Sequence, residues 1–450
     1  MFQRKILEEL DKWSQKTVRK PLILRGARQT GKTTAINEFS KRFNHYLYFN
    51  LENIEEKILL EKEIPFDDYI ASLFLYQNIS FGREKTLIFI DEIQNSPNAV
   101  KQLRYFYEKR PELYVIAAGS LLETMLEKHI SFPVGRVEYL YLYPFSFEEF
   151  LWALSEKEVC KLLLNIPVPE YAHEKILTLF HKYSLIGGMP EAIKVYVETG
   201  GDIIEVNKVY SSLMTAFLED VEKYAANEKS TRIIRHVISS AAYEAGKRIK
   251  YQGFGNSNYQ SREISEALHI LEKAMLVRLI RPVTATTIPA VPDMRKSPKL
   301  QFLDTGFLNH LNGLQQSIIH AADLNSIYKG LLTEHICTQE VISLNTYQQF
   351  PVNFWVREKK QSNAEIDLII PHEGNLIPIE IKSGKQGTLR SLHQFIGLSS
   401  HPYAVRIYNG VVKIDDAVTP DGVKYKLLNL PYYLIGSIRR YLEWFIKMQE

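Results

Sequence analysis

Pro21-Leu-Ile-Leu-Arg-Gly26-Ala27-Arg28-Gln29-Thr30-Gly31-Lys32-Thr33 decides how the first third of the chain is read. Its apolar opening, Pro21–Leu24, is a short strand, and the stretch after it, about 32–43, has the pattern of a helix. Between them, residues 26–33 match G-x-x-x-x-G-K-[ST] in full. The glycines let the backbone curl so that its N–H groups face a phosphate, and the helix N-terminus adds a favourable field for the anion. The Lys32 ammonium is placed for β- and γ-phosphates, and the Thr33 hydroxyl for Mg²⁺. ATP and Mg²⁺ are the expected cofactors, cradled by Gly26, Ala27, Arg28, Gln29, Thr30, Gly31, Lys32 and Thr33.

The other half of such a site is an acidic strand end. Thr86-Leu-Ile-Phe-Ile-Asp91-Glu92 supplies it, because a continuous apolar run reads as a buried parallel strand with its ligands at the carboxyl end. Asp91 is the expected second holder of Mg²⁺, and Glu92 is placed to polarise the attacking water. The next strand, Tyr114–Gly119, ends in Ser120, which either orients that water or caps the following helix. Arg136 either reaches a γ-phosphate, in cis or from a neighbouring subunit, or is a surface arginine. With Tyr46–Leu51 and Val137–Tyr143, five strands alternate with helices, the pattern of a parallel α/β sheet.

Composition sets the frame around this. The 450 residues are 45% hydrophobic and 24% charged, an ordinary globular balance that excludes long disorder or a fibrous rod. The longest apolar runs are far shorter than the roughly 18 to 20 residues that span a bilayer, so no membrane association is expected. Two cysteines with no C-x-x-C pair exclude a disulfide framework and a four-Cys zinc site, and fit the cytoplasm. A net charge of +3 is low for a constitutive nucleic-acid binder but leaves room for a basic face.

Further along, Ser261–Ile280 reads as a helix running into a strand, with Ile264, Leu268, Leu271 and Met275 on one apolar face and a second strand near Lys299–Leu303. That is the outline of a winged helix, whose polar side carries Arg262, His269 and Lys273. Near the end, Ala364-Glu365-Ile-Asp367-Leu-Ile-Ile370 and Leu376-Ile-Pro-Ile-Glu380-Ile-Lys382 form a D-x(12)-E-x-K arrangement on adjacent strands. Glu380 and Lys382 share a face because the strand period is two, and Asp367 on the neighbouring strand can meet them. Glu334, on a preceding helix, is a fourth candidate. Two carboxylates suit a second hard divalent cation, and the lysine suits a water attacking a phosphodiester. The other reading of the same groups is a salt-bridge cluster. Trp355, Arg357, Lys359 and Lys360 lie on the strand before, available either for nucleic-acid stacking and backbone contact or as an edge strand.

Several landmarks together carry a resemblance: G-A-R-Q-T-G-K-T at 26–33, F-I-D-E-I-Q at 89–94, A-A-G-S at 117–120, G-R at 135–136, Y-P-F-S-F-E-E-F at 143–150, Gly187-Gly188-Met189-Pro190, and L-D-T-G at 303–306. With the acidic pattern at the end, the chain resembles AAA-type P-loop ATPases of a bacterial and archaeal family. That family joins the ATPase module to a winged helix and a PD-(D/E)XK nuclease-like domain of unknown function. The resemblance implies a P-loop core over 1–150, a helical lid over 151–225, a winged helix over 226–315 and a restriction-endonuclease-like α/β domain over 316–450. It implies that Gly188 and Pro190 contact adenine, where the bland reading is a helix–helix turn. It implies Glu334, Asp367, Glu380 and Lys382 as a nuclease-like site. The functional expectation is an Mg²⁺-dependent ATPase whose nucleotide state closes the lid and winged helix and so controls the last domain. That domain either cleaves DNA or RNA, or only binds nucleic acid or a protein partner. Assembly into an oligomer is compatible with either.

Overall fold

The computed structural model describes residues 2–119, 135–225, 227–314, 331–348, 350–359, 362–382 and 389–449. Its chain divides into two compact units. The first holds Met1–Tyr143 with two short returns, Lys273–Met275 and Thr346–Gln348. The second holds Pro144–Glu272, Leu276–Asn345 and Gln349–Glu450.

In the first unit, β1 (Leu22–Arg25), β2 (His45–Asn50), β3 (Thr86–Asp91), β4 (Tyr114–Gly119) and β5 (Glu138–Tyr141) form one parallel sheet in the order β2-β3-β4-β1-β5. The strands are apolar on both faces because the sheet has helices on both. Along β3, Leu87 and Phe89 join one core with Leu22, Leu24, Ile116 and Ala118, against the helices Ile6–Ser14 and Lys32–Ser40. Ile88 and Ile90 turn to the other core with Ile23, Val115 and Ala117, against the helices Ile54–Glu61, Phe66–Tyr76 and Pro97–Lys109. The order places β4 between the strand feeding the phosphate loop and the strand ending in Asp91. Parallel pairing brings all their carboxyl ends to one edge.

The second unit begins with helices, among them Phe147–Ala153, His173–Ile186, Pro190–Glu198, Ile203–Tyr224 and Glu228–Glu244. Ser261–Lys273 packs Ile264, Ala267, Leu268 and Leu271 into the same core as Met189, Tyr210 and Phe217. Met275, at φ 59°, ends that helix and the chain enters β6 (Val277–Val283). β6 pairs antiparallel with β7 (Lys299–Phe302). The pair also joins a larger sheet, in which β6 runs parallel to β8 (Asn353–Lys359) and β7 is the edge strand. With β9 (Ser362–His372), β10 (Asn375–Ile381), β11 (Tyr403–Tyr408), β12 (Lys413–Val418) and β13 (Lys424–Pro431), the order is β12-β13-β11-β10-β9-β8-β6-β7. The ends of β9 and β10 meet across Glu373-Gly374, at φ 44° and 78°, a two-residue hairpin turn with both φ positive.

Two sequence-based expectations are corrected by this sheet. β8 is not an edge strand, since β9 and β6 flank it. Trp355 is 1% exposed, packs its ring on Phe395 and donates its Nε1–H to the Thr284 carbonyl at 3.1 Å, so it has no face left for a base. Lys360, paired with it in that expectation, lies outside the described residues. Among the described residues, no helix is long and apolar enough to cross a membrane.

Candidate nucleotide site and a buried carboxylate–lysine cluster

The phosphate loop leaves β1 at Arg25 and returns as the helix Lys32–Ser40. Gln29 at φ 60° and Gly31 at φ 90° make the curl. Gly26 is glycine for a steric reason, since a Cβ there would lie 2.6 Å from the Leu142 carbonyl oxygen. Thr30 ties the curl by donating to the Ala27 carbonyl at 2.9 Å, and Arg4 donates to the Thr30 carbonyl at 2.9 Å. The Lys32 ammonium sits inside, donating to the carbonyls of Gly26 and Ala27, both at 3.0 Å. Burial lowers its pKa from the ordinary lysine value, against the charges of Glu92 and Asp91, which raise it. Arg28 pairs with Glu52 at 3.3 Å.

Asp91, at the end of β3, receives the Thr33 hydroxyl on Oδ2 at 2.6 Å and the Glu92 N–H on Oδ1 at 3.0 Å. Burial raises its pKa, and the Thr33 hydrogen bond opposes that. Two residues distant in sequence thus offer oxygen atoms to one point, the donor chemistry of a hard divalent cation. A curled loop of N–H groups with one buried ammonium is the complement of an anion. The residues present therefore fit ATP with Mg²⁺. Glu92 takes the left-handed φ of 50° and its carboxylate accepts from Gln94. Ser120 lies outside the described residues. Arg136 is half-exposed and pairs with Glu108 at 3.3 Å.

Gly188 and Pro190 belong to the second unit. Gly188 is packed where a Cβ would lie 2.4 Å from the Phe145 carbonyl oxygen, and it donates its N–H to Asp304 Oδ2 at 2.6 Å. Pro190 is the first residue of the helix Pro190–Glu198. Asp304 is wholly buried and also accepts from Tyr210 at 3.0 Å, the Phe307 N–H at 3.0 Å and Gln339 at 3.3 Å. Gln339 in turn accepts from Thr305 at 2.9 Å, and Thr305 meets His335 Nδ1 at 2.8 Å. The L-D-T-G landmark is therefore a polar hub holding the Gly187-Gly188 turn to the helix Leu331–Ser343. Asp304 also caps the helix Thr305–Leu311, its side chain accepting the Phe307 N–H.

The four C-terminal candidates all lie in the second unit. Glu334 faces out of the helix Leu331–Ser343 toward the sheet, where Asp367 on β9 accepts the Ile381 N–H of β10 at 2.7 Å. Lys382 pairs with Glu380. What the sequence reading missed stands among them: Lys299 of β7, with its ammonium 2.6 Å from Glu334, 2.8 Å from Glu365 and 3.6 Å from Asp367. Its side chain is 8% exposed and lies over the Phe354 ring, 4.9 Å from the centroid. Burial lowers its pKa, and Glu334, Asp367 and Glu365 more than reverse that, holding it above the usual lysine value. Burial and the Asp367 charge push both Glu334 and Glu380 up to about 7. Among the described residues, no three His, Cys, Asp or Glu side chains are grouped to hold a metal ion. The expected second divalent cation does not fit this arrangement, because an ammonium already neutralises the acids.

Comparison with known proteins agrees with the first of these two sites. Residues 18–151 match an AAA domain family, residues 177–318 a domain of unknown function (DUF8612), and residues 329–433 another domain of unknown function (DUF4143). The chain is 22% identical over 409 residues to an uncharacterized protein of Methanocaldococcus jannaschii, covering 86% of this chain and 80% of that one. Among solved structures, a Walker-type ATPase of Pyrococcus abyssi is 17% identical with a TM-score of 0.45, covering 69% of this chain and 96% of that one. An Aeropyrum pernix ORC1 protein, solved in complex with DNA, is 13% identical with a TM-score of 0.31, covering 71% of this chain and 93% of that one. The match to an AAA domain family over 18–151 thus spans the loop, the acidic strand end and the five-stranded sheet.

Proposed function

We propose that the chain is an Mg²⁺-dependent ATP hydrolase that works as a switch, its nucleotide state controlling the second unit. The observation that carries this reading is the 2.6 Å contact between Thr33 and Asp91, with Lys32 buried in the loop beside them. ATP with Mg²⁺ supplies the transferable phosphoryl group and the charge that neutralises it. The loop from Gly26 to Thr33 orients the phosphates through backbone N–H groups. Lys32 exchanges its bonds to two loop carbonyls for phosphate oxygens. Thr33 and Asp91 hold the cation, Glu92 takes the proton from the attacking water, and Ser120 and Arg136 serve the water and the γ-phosphate. Gly188 and Pro190 are the proposed adenine contact, and their neighbour Asp304 supplies a path from that turn to the helix of Glu334.

The test separates binding from chemistry. In Lys32→Ala, affinity for a fluorescent ATP analogue should fall at least about tenfold, and in Glu92→Gln binding should persist while turnover falls about 10²-fold or more. Unchanged binding in the first variant, or unchanged turnover in the second, removes the assignment.

For the second unit, the order Glu334, Asp367, Glu380, Lys382 supports a nuclease-like domain acting on DNA or RNA. The Lys299 ion pairs favour the other reading for the arrangement described, a domain that binds nucleic acid or a protein partner without cutting. Wild-type protein incubated with DNA and RNA, ATP and Mg²⁺ or Mn²⁺ separates the two. Cleavage lost in Lys382→Ala supports the nuclease.

A further inference from the structure

The turn after β3 holds more than Glu92. The chain leaves Asp91 through Glu92 at φ 50° and closes a single tight turn, Ile93–Asn95, with the Asn95 N–H donating to the Glu92 carbonyl at 3.0 Å. A glutamate rarely adopts that left-handed conformation, and it persists where the surroundings hold it. Here Ile93 is the anchor, buried in the core with Ile90 and Ala117. The residues on either side of it meet instead: the Gln94 amide donates from Nε2 to Glu92 Oε2.

The other end of that amide is unpaired. Among the described residues, Gln94 Oε1 is buried and has no hydrogen-bond partner. The two ends cannot be exchanged, because an ionised carboxylate only accepts: Glu92 must face the NH₂ group, which leaves the oxygen for another donor. A buried amide oxygen without a donor is unfavourable, and here it belongs to the side chain that holds the base. Gln94 as a whole is only partly buried, so a donor can reach it.

We propose that Gln94 is a catalytic residue of the hydrolysis: its amide N–H holds the Glu92 carboxylate, and its Oε1 accepts a hydrogen bond from the water that Glu92 activates. This rests on reading Glu92 as the base. As the water oxygen bonds to the γ-phosphorus, the bond from that phosphorus to the β–γ bridging oxygen breaks, and its electron pair leaves with the ADP. One water proton passes to Glu92 Oε1. The other stays on the attacking oxygen, hydrogen-bonded to Gln94 Oε1. Two acceptors on one short turn fix both the position of the water and the direction of its attacking lone pair, which in-line attack requires. The amide N–H also favours the ionised carboxylate, the form that can take a proton.

A double-mutant cycle on the full chain tests this, with kcat for ATP and affinity for a fluorescent ATP analogue measured on wild type, Gln94→Met, Glu92→Gln and the double variant. Methionine keeps the length of the side chain and removes both ends of the amide. Gln94→Met is expected to lower kcat about tenfold or more while analogue affinity stays within about twofold. Added to Glu92→Gln, it should cost less than about threefold more, because the two side chains act on one water. A kcat that is unchanged or raised, an affinity that falls along with kcat, or penalties that multiply in the double variant would each overturn the role. Turnover lost in Glu92→Gln but not in Gln94→Met removes Gln94 alone, whereas turnover unchanged in Glu92→Gln removes the base and this inference with it. Should Gln94→Met not fold by far-UV circular dichroism, Gln94→Ala carries the same comparison.

Discussion

At the scale of single residues, the first unit shows how little freedom its site has. Lys32 is a cation kept in a low-dielectric loop by two carbonyl oxygens, and Thr33 and Asp91 fix each other at 2.6 Å. A neutral Asn at 91 keeps the shape but gives up the charge. Asp91→Asn should therefore raise the Mg²⁺ concentration needed for half-maximal ATP turnover by about tenfold or more, while Arg28→Ala, which breaks only the solvent-facing pair with Glu52, should leave it near the wild-type value. A Mg²⁺ titration of initial rates reads both. Lys299 makes the opposite point: nothing in its local sequence marks it. It is a lysine at the start of a short strand, and its role exists only because strand pairing lays it against acids from two other elements, the helix Leu331–Ser343 and β9.

At the scale of elements, the packing of backbone against backbone explains glycines that motif reading would assign to ligands. Gly187 and Gly306 interlock: a Cβ on Gly306 would lie 1.9 Å from the Ile186 carbonyl oxygen, and one on Gly187 2.2 Å from Asp304. Neither neighbour can move, since the Gly187 N–H bonds Tyr183 in the helix before it and Asp304 caps the helix after it. Gly306→Ala should destabilise the second unit by about 3 kcal/mol or more. Gly82→Ala, where a Cβ meets nothing within 4 Å, is the control and should stay within about 0.5 kcal/mol of wild type. Urea unfolding of the two variants against wild type measures the difference. A Gly306 variant as stable as the control would mean that the turn is looser than these distances require.

At the scale of the whole molecule, a buried histidine ties stability to pH. His335 is 1% exposed, accepts the Phe302 N–H on Nε2 at 3.0 Å, and burial lowers its pKa from 6.5 to about 3. The unfolded chain therefore binds this proton between pH 6.5 and 3 while the folded chain does not. The histidine's contribution is complete above pH 6.5 and is lost as pH falls toward 3, at up to about 1.4 kcal/mol per pH unit. Glu334 and Glu380, raised by burial to about 7, work in the other direction between their ordinary values and 7, so the slope of wild type alone mixes the effects. The wild-type-minus-His335→Gln difference isolates the histidine, and it should shrink steadily as pH is lowered from 6.5 to 4.5. A difference independent of pH would show that His335 is not held neutral. How much of this was legible beforehand follows from the range of the interactions. The five parallel strands, the loop at 26–33 and Asp91-Glu92 could be read directly, because each is a local pattern: an apolar run, a turn that needs glycine, an acid at a strand end. The adjacency of β9 and β10 and the shared face of Glu380 and Lys382 followed from spacing and the two-residue period, whereas Glu334 entered through the resemblance. What no local pattern contained was the join of β6 to β8, which makes β7 the edge of the C-terminal sheet, and the burial of Trp355 that goes with it. The sequence by itself determined the nucleotide loop and its acidic partner, since their chemistry is written into short contiguous segments. Only the tertiary structure decided which cation the C-terminal acids hold, because a buried charge is neutralised by whatever the fold places within about 4 Å, and Lys299 arrives there through strand pairing rather than through sequence.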